Sequence, residues 1–357
     1  MKDVLHNVTA YFPEEWAWIM KINALFILLF LLLTIGLIGF IIFLRVEKNI
    51  RNDKKQAQQL LLIDFLNSFL FEEDFDKLKE IEDFRTDHLK TPLEIKVTIK
   101  EILLFHENLK GESAIALEEL FLQLQLDKFV LNDLKKGNWF TVARAIYALS
   151  ELGIEVSAKK IEPYLNDPKN EVRQQSQLYF LKVAKDNPLQ FLDKTERPLT
   201  TWQQIYIENA LKNFYQGPAP DFSIWLDHKL DTVVEFSIRM IARYNQFENI
   251  PKLLPFLKNE KESIRKEAIH ALCSLEYIEL LNLILPTFKQ ESISIKKEIL
   301  RSVEQLGTFD DLKEIKPMLA AQDWELKIKY FNIEKYFFPN KKDEIHMQYL
   351  HEQEMGL

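Results

Sequence analysis

Along residues 22–44 the chain is apolar on every face a helix could present: Asn23 and Thr34 are the polar side chains, and no charge occurs between Lys21 and Arg45. These 23 residues exceed the roughly 20 that cross about 30 Å of hydrocarbon at ~1.5 Å per residue, so the run predicts a transmembrane helix. The buried helix of a soluble protein rarely stays apolar on all sides for about six turns. A cleaved leader has a shorter apolar region, about 7–15 residues, and ends at small residues; no such site follows Leu44. The run therefore reads as a retained anchor.

Beyond it the pattern becomes amphipathic, with apolar residues at helical spacing broken by short polar turns. A basic helix over 46–71 turns apolar from residue 60, and further helical patterns cover 93–109 and 113–126. Downstream the stretches recur at a fixed interval. Pro255, Pro286 and Pro317 lie 31 residues apart, and each precedes a large apolar residue by two: Leu257, Phe288 and Leu319. Leu226 falls 31 before Leu257, and Leu134 falls 31 before Leu165, which has Pro163 two residues ahead of it. Leu165 and Leu226 are 61 apart, close to two periods, so the array reads as continuous.

Each interval has one grammar. An apolar anchor leads into a polar turn (Asp167, Asn259, Glu260, Glu291, Asp323), and a basic residue stands eight past the anchor (Arg173, Arg265, Lys296, Lys327). A helix follows and a second one returns. With Asp167-Pro168 in the turn and Val172-Arg173 opening the helix, this resembles the HEAT repeat in its short bacterial form, over residues 134–338. The unit is shorter than the roughly 40–47 residues of longer HEAT and armadillo repeats. The resemblance implies stacked antiparallel helix pairs, because one pair cannot bury its apolar face alone. The expected fold is all-α: a transmembrane helix, then an α-solenoid. Residues 1–21 lie on one side of the membrane and 22–44 cross it. Residues 45–133 hold juxtamembrane helices and degenerate capping repeats, 134–338 the array, and 339–357 a polar tail. Residues 197–222, which include Gln216-Gly217-Pro218-Ala219-Pro220, read as a long loop.

Charge orients the anchor. Arg45, Lys48, Arg51, Lys54 and Lys55 follow the apolar run closely, whereas Lys2 and Lys21 precede it, so the positive-inside rule expects the body in the cytoplasm and the N-terminus outside the inner membrane. Trp16, Trp18 and Lys21 on one side, with Arg45 and Lys48 on the other, are the expected interface residues. A formal charge of −8 argues against sequence-independent nucleic-acid binding. The single cysteine, Cys273, fits a reducing compartment. Few glycines (8) against abundant Leu, Ile, Lys and Glu favour helices.

Candidate chemistry is sparse. Phosphate-loop, dinucleotide and nucleophile-elbow templates are missing. His346 and His351, five apart, would point about 140° away from each other on a helix, so no metal is expected. Cys273 sits in an apolar-periodic helix and reads as core. The carboxylates Glu72-Glu73-Asp74 and Asp310-Asp311 read as helix-start residues, favoured there by the dipole. The basic residues of the repeat are expected to bond turn carboxylates, as a structural ladder of Asp167, Arg173, Arg265, Lys296 and Lys327. Trp139 and Trp324, each five past an anchor, read as packing residues. Trp202, Tyr206 and Trp225 lie outside that register and are the candidate partner-binding residues. Together these readings point to a non-enzymatic, membrane-tethered scaffold that needs no cofactor and binds protein partners, themselves membrane-associated. Likeness to bacterial proteins of this architecture implies an envelope or polysaccharide-synthesis complex as client. The rival classes are a HEAT-like lyase or DNA glycosylase, and a transmembrane signalling adaptor.

Overall fold

The computed structural model describes residues 18–72, 76–183, 187–215, 217–320 and 323–355. Among them every regular element is helical. The chain divides into two compact units, Met1–Phe129 and Val130–Leu357.

Unit 1 is organised by α1 (Trp18–Phe71), 54 residues without a break. Its apolar stretch has no buried residue, and its most apolar window has a mean hydropathy of 3.1. The far end behaves differently. Gln58, Leu62, Leu66 and Phe69, spaced as one helical stripe, are buried where α1 packs on α3 (Pro92–Asn108). Between them α2 (Lys77–His88) contributes Ile81 and Phe84, the latter stacked on Phe65 at 4.2 Å between ring centroids. Gln58 Nε2 donates to the His88 carbonyl at 3.0 Å, which ties the end of α2 to α1. Thr91 and Glu94 form a capping box with Pro92 in the first turn, and this fixes where α3 begins. Gly111, at φ +67°, takes the left-handed turn into α4 (Glu112–Gln123). The unit boundary falls within α5 (Leu126–Lys136).

Unit 2 alternates long helices with short ones. The long ones are α6 (Trp139–Glu151), α7 (Asn170–Val183), α8 (Thr201–Phe214) and α9 (Asp231–Arg243). Short α10 (Ile250–Leu253) precedes α11 (Glu262–Ser274), short α12 (Leu280–Ile284) precedes α13 (Ile293–Leu306), and short α14 (Phe309–Ile315) precedes α15 (Trp324–Phe337). From α6 to α15 the long helices begin 31, 31, 30, 31, 31 and 31 residues apart. Pro255, Pro286 and Pro317 each lie in the first turn of a 3₁₀ segment that follows a short helix. Proline lacks the N–H that such a turn leaves unpaired, so it costs little there. Long helices pack on their neighbours: α6 on α7, α7 on α8, α9 on α11, α11 on α13, and α13 on α15. One apolar cluster runs from Leu165 to Ile345.

One expectation is corrected here. Residues 197–222 are not one long loop: Thr200 and Gln203 form a capping box that starts α8, and the helix runs to Phe214. The Gly-Pro-Ala-Pro signal governs the turn after that helix. The polar end carries α16 (Lys342–Met355), which sets Tyr349 against Trp324 and Phe331 of α15. Its buried Ile345 joins the common core.

Candidate functional site

A surface suited to a protein partner lies on α8. That helix buries Gln203, Gln204, Ile207, Ala210 and Leu211 on one side, which leaves Trp202, Ile205 and Tyr206 as an exposed ridge at i, i+3 and i+4. Trp202 is 80% exposed. Tryptophan and tyrosine offer large contact area with few rotors to freeze, which is why they dominate binding hot spots. Ile205 escaped the sequence reading, although a helix begun at the Thr200–Gln203 capping box would have placed it on this ridge.

Trp225 does not belong to it. It ends the short turn Phe222–Trp225, is 2% exposed, and donates its indole N–H to Asp193 Oδ1 at 2.8 Å. Its ring fills core space beside Phe222. A buried, hydrogen-bonded tryptophan cannot meet a partner, so Trp225 is corrected to a packing residue.

Several charged side chains on and beside the long helices are matched to one another. Arg239 pairs with Glu267 at 3.0 Å, Arg243 with Glu208 at 2.7 Å, Lys261 with Asp231 at 2.6 Å and His270 with Glu298 at 2.9 Å; Lys297 also pairs with Glu325. Burial alone would raise the Glu298 carboxyl. The hydrogen bond and charge of His270, with Arg301 and Lys266, outweigh burial and hold it below its ordinary value of 4.5. These pairs link successive helices and contribute little each where solvent reaches them.

The expected ladder is partly carbonyl-bonded. Arg173 Nη1 donates to the carbonyls of Asp167 (2.6 Å) and Pro168 (3.1 Å), and Arg265 Nη1 does the same to Asn259 (2.8 Å) and Glu260 (3.1 Å). Both arginines close the turn that precedes their own helix by satisfying its backbone acceptors. Arg265 also reaches the carboxylate of the next turn, Glu291, at 2.8 Å. The Asp167 carboxylate instead accepts from the Lys169 amide at 2.7 Å. Lys296 lies over Phe288 (5.8 Å) and Lys327 over Trp324 (4.7 Å), so the lysine positions use aromatic faces.

Other candidates resolve into structure. Trp324 packs on Tyr349, and half-exposed Trp139 lies beneath Lys169. Cys273 is buried, its thiol pushed up by burial and pointed at Gln305 Oε1, 2.9 Å away. It borders an open polar depression of about 480 Å³ with Arg301, Gln305 and Tyr336. Asp311 caps α14 in a box with Thr308, whereas Glu72 follows the end of α1 and bonds Ser68, so it is no helix-start residue. Of the interface residues, Trp18 and Lys21 open α1, and Arg45 and Lys48 are exposed just past its apolar stretch. Trp16, Glu73 and Asp74 lie outside the described residues.

No protein-family model matches the chain, and no curated protein matches it. Among solved structures, the crystal structure of an engineered protein aligns over 84% of this chain and 90% of its own, at 13% identity and a TM-score of 0.28, too low to carry an argument about fold or function.

Proposed function

We propose that this chain is a membrane-anchored protein-interaction scaffold. In this reading residues 22–44 of α1 cross the bilayer, and unit 2 is a HEAT-like α-solenoid that presents the α8 ridge to a protein partner. The observation that carries it is the solvent exposure of eighteen large apolar side chains between Ile22 and Leu44. At ~1.5–3 kcal/mol for each such side chain, leaving them in water would cost on the order of tens of kcal/mol, more than a whole domain's stability. Lipid removes that cost. Supporting the solenoid are the near-constant spacing of the long helices and the recurrence of the arginine-closed turn. The positive-inside rule orients the body to the cytoplasm. Anchoring confines protein and partner to one surface, so a modest contact at α8 suffices.

Fractionation tests the anchor: the chain should stay in the membrane pellet after alkaline carbonate extraction, and release into the supernatant would refute it. Reporter fusions after residue 355 and before residue 18 test the orientation. Photocrosslinking from position 202 in intact cells tests the partner surface; the expected result is a discrete protein adduct that Tyr206→Ala weakens, and the absence of any adduct counts against a scaffold that works through α8.

A further inference from the structure

Among the described residues, none buries the part of α1 between its apolar stretch and its packed end. Residues 45–57 are exposed all round, and the first buried residue is Gln58. Thirteen residues separate Leu44 from Gln58, and the axial rise from one to the other is about 21 Å. That segment holds Arg45, Lys48, Arg51, Lys54 and Lys55 against Glu47 and Asp53. None of the seven is in an ion pair among the described residues. Besides orienting the anchor, these cations stand on a face with no core to build and are open to an anion from outside the chain.

Resting on the membrane reading above, the geometry points to a binding site for anionic phospholipid headgroups on this exposed turn of α1. At about 100° per residue, Lys48, Arg51 and Lys55 fall within roughly 60° of one another, with Arg45 adjacent and Asp53 on the far side. Depth decides which of them touch lipid. The headgroup layer adds roughly 5–7 Å beyond the hydrocarbon. Arg45 and Lys48 lie within about 6 Å of Leu44 along the axis, and Arg51 at about 10 Å reaches back with its long side chain. Lys54 and Lys55, at about 15 Å, act only through a field screened over about 8–10 Å. The site therefore consists of Arg45, Lys48 and Arg51, with guanidinium forks suited to phosphate oxygens. It would serve in either orientation of the anchor, since it depends only on which end of the apolar stretch the cations follow.

The test uses the full chain in nanodiscs of phosphatidylcholine with a minor fraction of phosphatidylglycerol, followed by native mass spectrometry of the retained lipids. Phosphatidylglycerol should be enriched several-fold over its bulk fraction, and the enrichment should fade as salt rises from about 0.05 to 0.5 M. Arg45→Gln, Lys48→Gln and Arg51→Gln should each cut it about threefold to fivefold at low salt, whereas Lys54→Gln with Lys55→Gln should change it less than twofold. Inorganic phosphate at millimolar concentration should not displace the lipid. Retention of the two lipids in proportion to their bulk fractions, or enrichment surviving the triple substitution, overturns the proposal; displacement by phosphate makes it a free-anion site and overturns it too. Failure of the chain to enter nanodiscs at all would be a separate result, refuting the anchor and the lipid site with it.

Discussion

Residues 22–44 and 58–69 of α1 are both rich in leucine, isoleucine and phenylalanine, yet they meet different surroundings. In the first stretch the large apolar side chains point in every direction and all are exposed. In the second, Leu62, Leu66 and Phe69 share one stripe and are buried against α3, while Leu60 and Asp64 face out. The lesson is that hydrophobic content selects an apolar environment, but arrangement around the helix selects which one. A stripe can be satisfied by another helix of the same chain. An all-round apolar cylinder would need partners on every side, and here lipid is the reading that supplies them.

Experiments can break this contrast, beginning with the largest effect. Deleting residues 22–44 should move the chain wholly from the membrane pellet to the soluble fraction, with the helicity of unit 2 retained by circular dichroism; a deletion variant still in the pellet would mean that another surface holds it there. Next come matched truncations. Leu66→Ala should destabilise unit 1 by about 2–5 kcal/mol because it opens a cavity, whereas Leu32→Ala should change unfolding in detergent by less than about 1 kcal/mol. Similar losses at both positions, measured by chemical denaturation, would mean that residue 32 is packed against protein. A smaller change is expected from Gln58→Ala, about 1 kcal/mol, since it removes the bond that ties α2 to the start of the buried stripe. The smallest serves as a control in unit 2. Glu298 has a lowered folded value, so its pairing stabilises the fold at neutral pH, and that contribution is lost as pH falls below about 4.5 and through the lowered value. Glu298→Gln should flatten the acid limb of the unit 2 stability curve and leave the Leu66-sensitive transition where it was.

Much of this was legible before any coordinates. The apolar run announced itself by length, and the prolines at 255, 286 and 317 marked the short elements because each lies where a helical turn has a spare donor position. What escaped has physical reasons. The helix Thr201–Phe214 was hidden by the loop signal immediately after it and by two buried glutamines, Gln203 and Gln204, that interrupt its apolar stripe. Trp225 looked like a surface anchor since it lay outside the expected register; in space it is buried, with its indole N–H bonded to Asp193. The helix Lys77–His88 buries just Ile81 and Phe84, too few to show a periodicity. At the candidate ridge, Trp202 and Tyr206 could be named from the sequence, but their shared exposure with Ile205 is a property of which side of α8 its neighbours cover.

The unbroken run of α1 from Trp18 to Phe71 has a mechanical corollary. It contains no proline or loop to absorb rotation, so its packed end must follow its apolar end like the far tip of an oar. From the middle of the apolar stretch to Leu62 the axis measures about 44 Å, and tipping it by about 10° swings Leu62 sideways by about 8 Å. Spanning helices tip when the surrounding hydrocarbon thins. In a bilayer, local thickness would thus be converted into a sideways displacement of the part of unit 1 packed around Leu62.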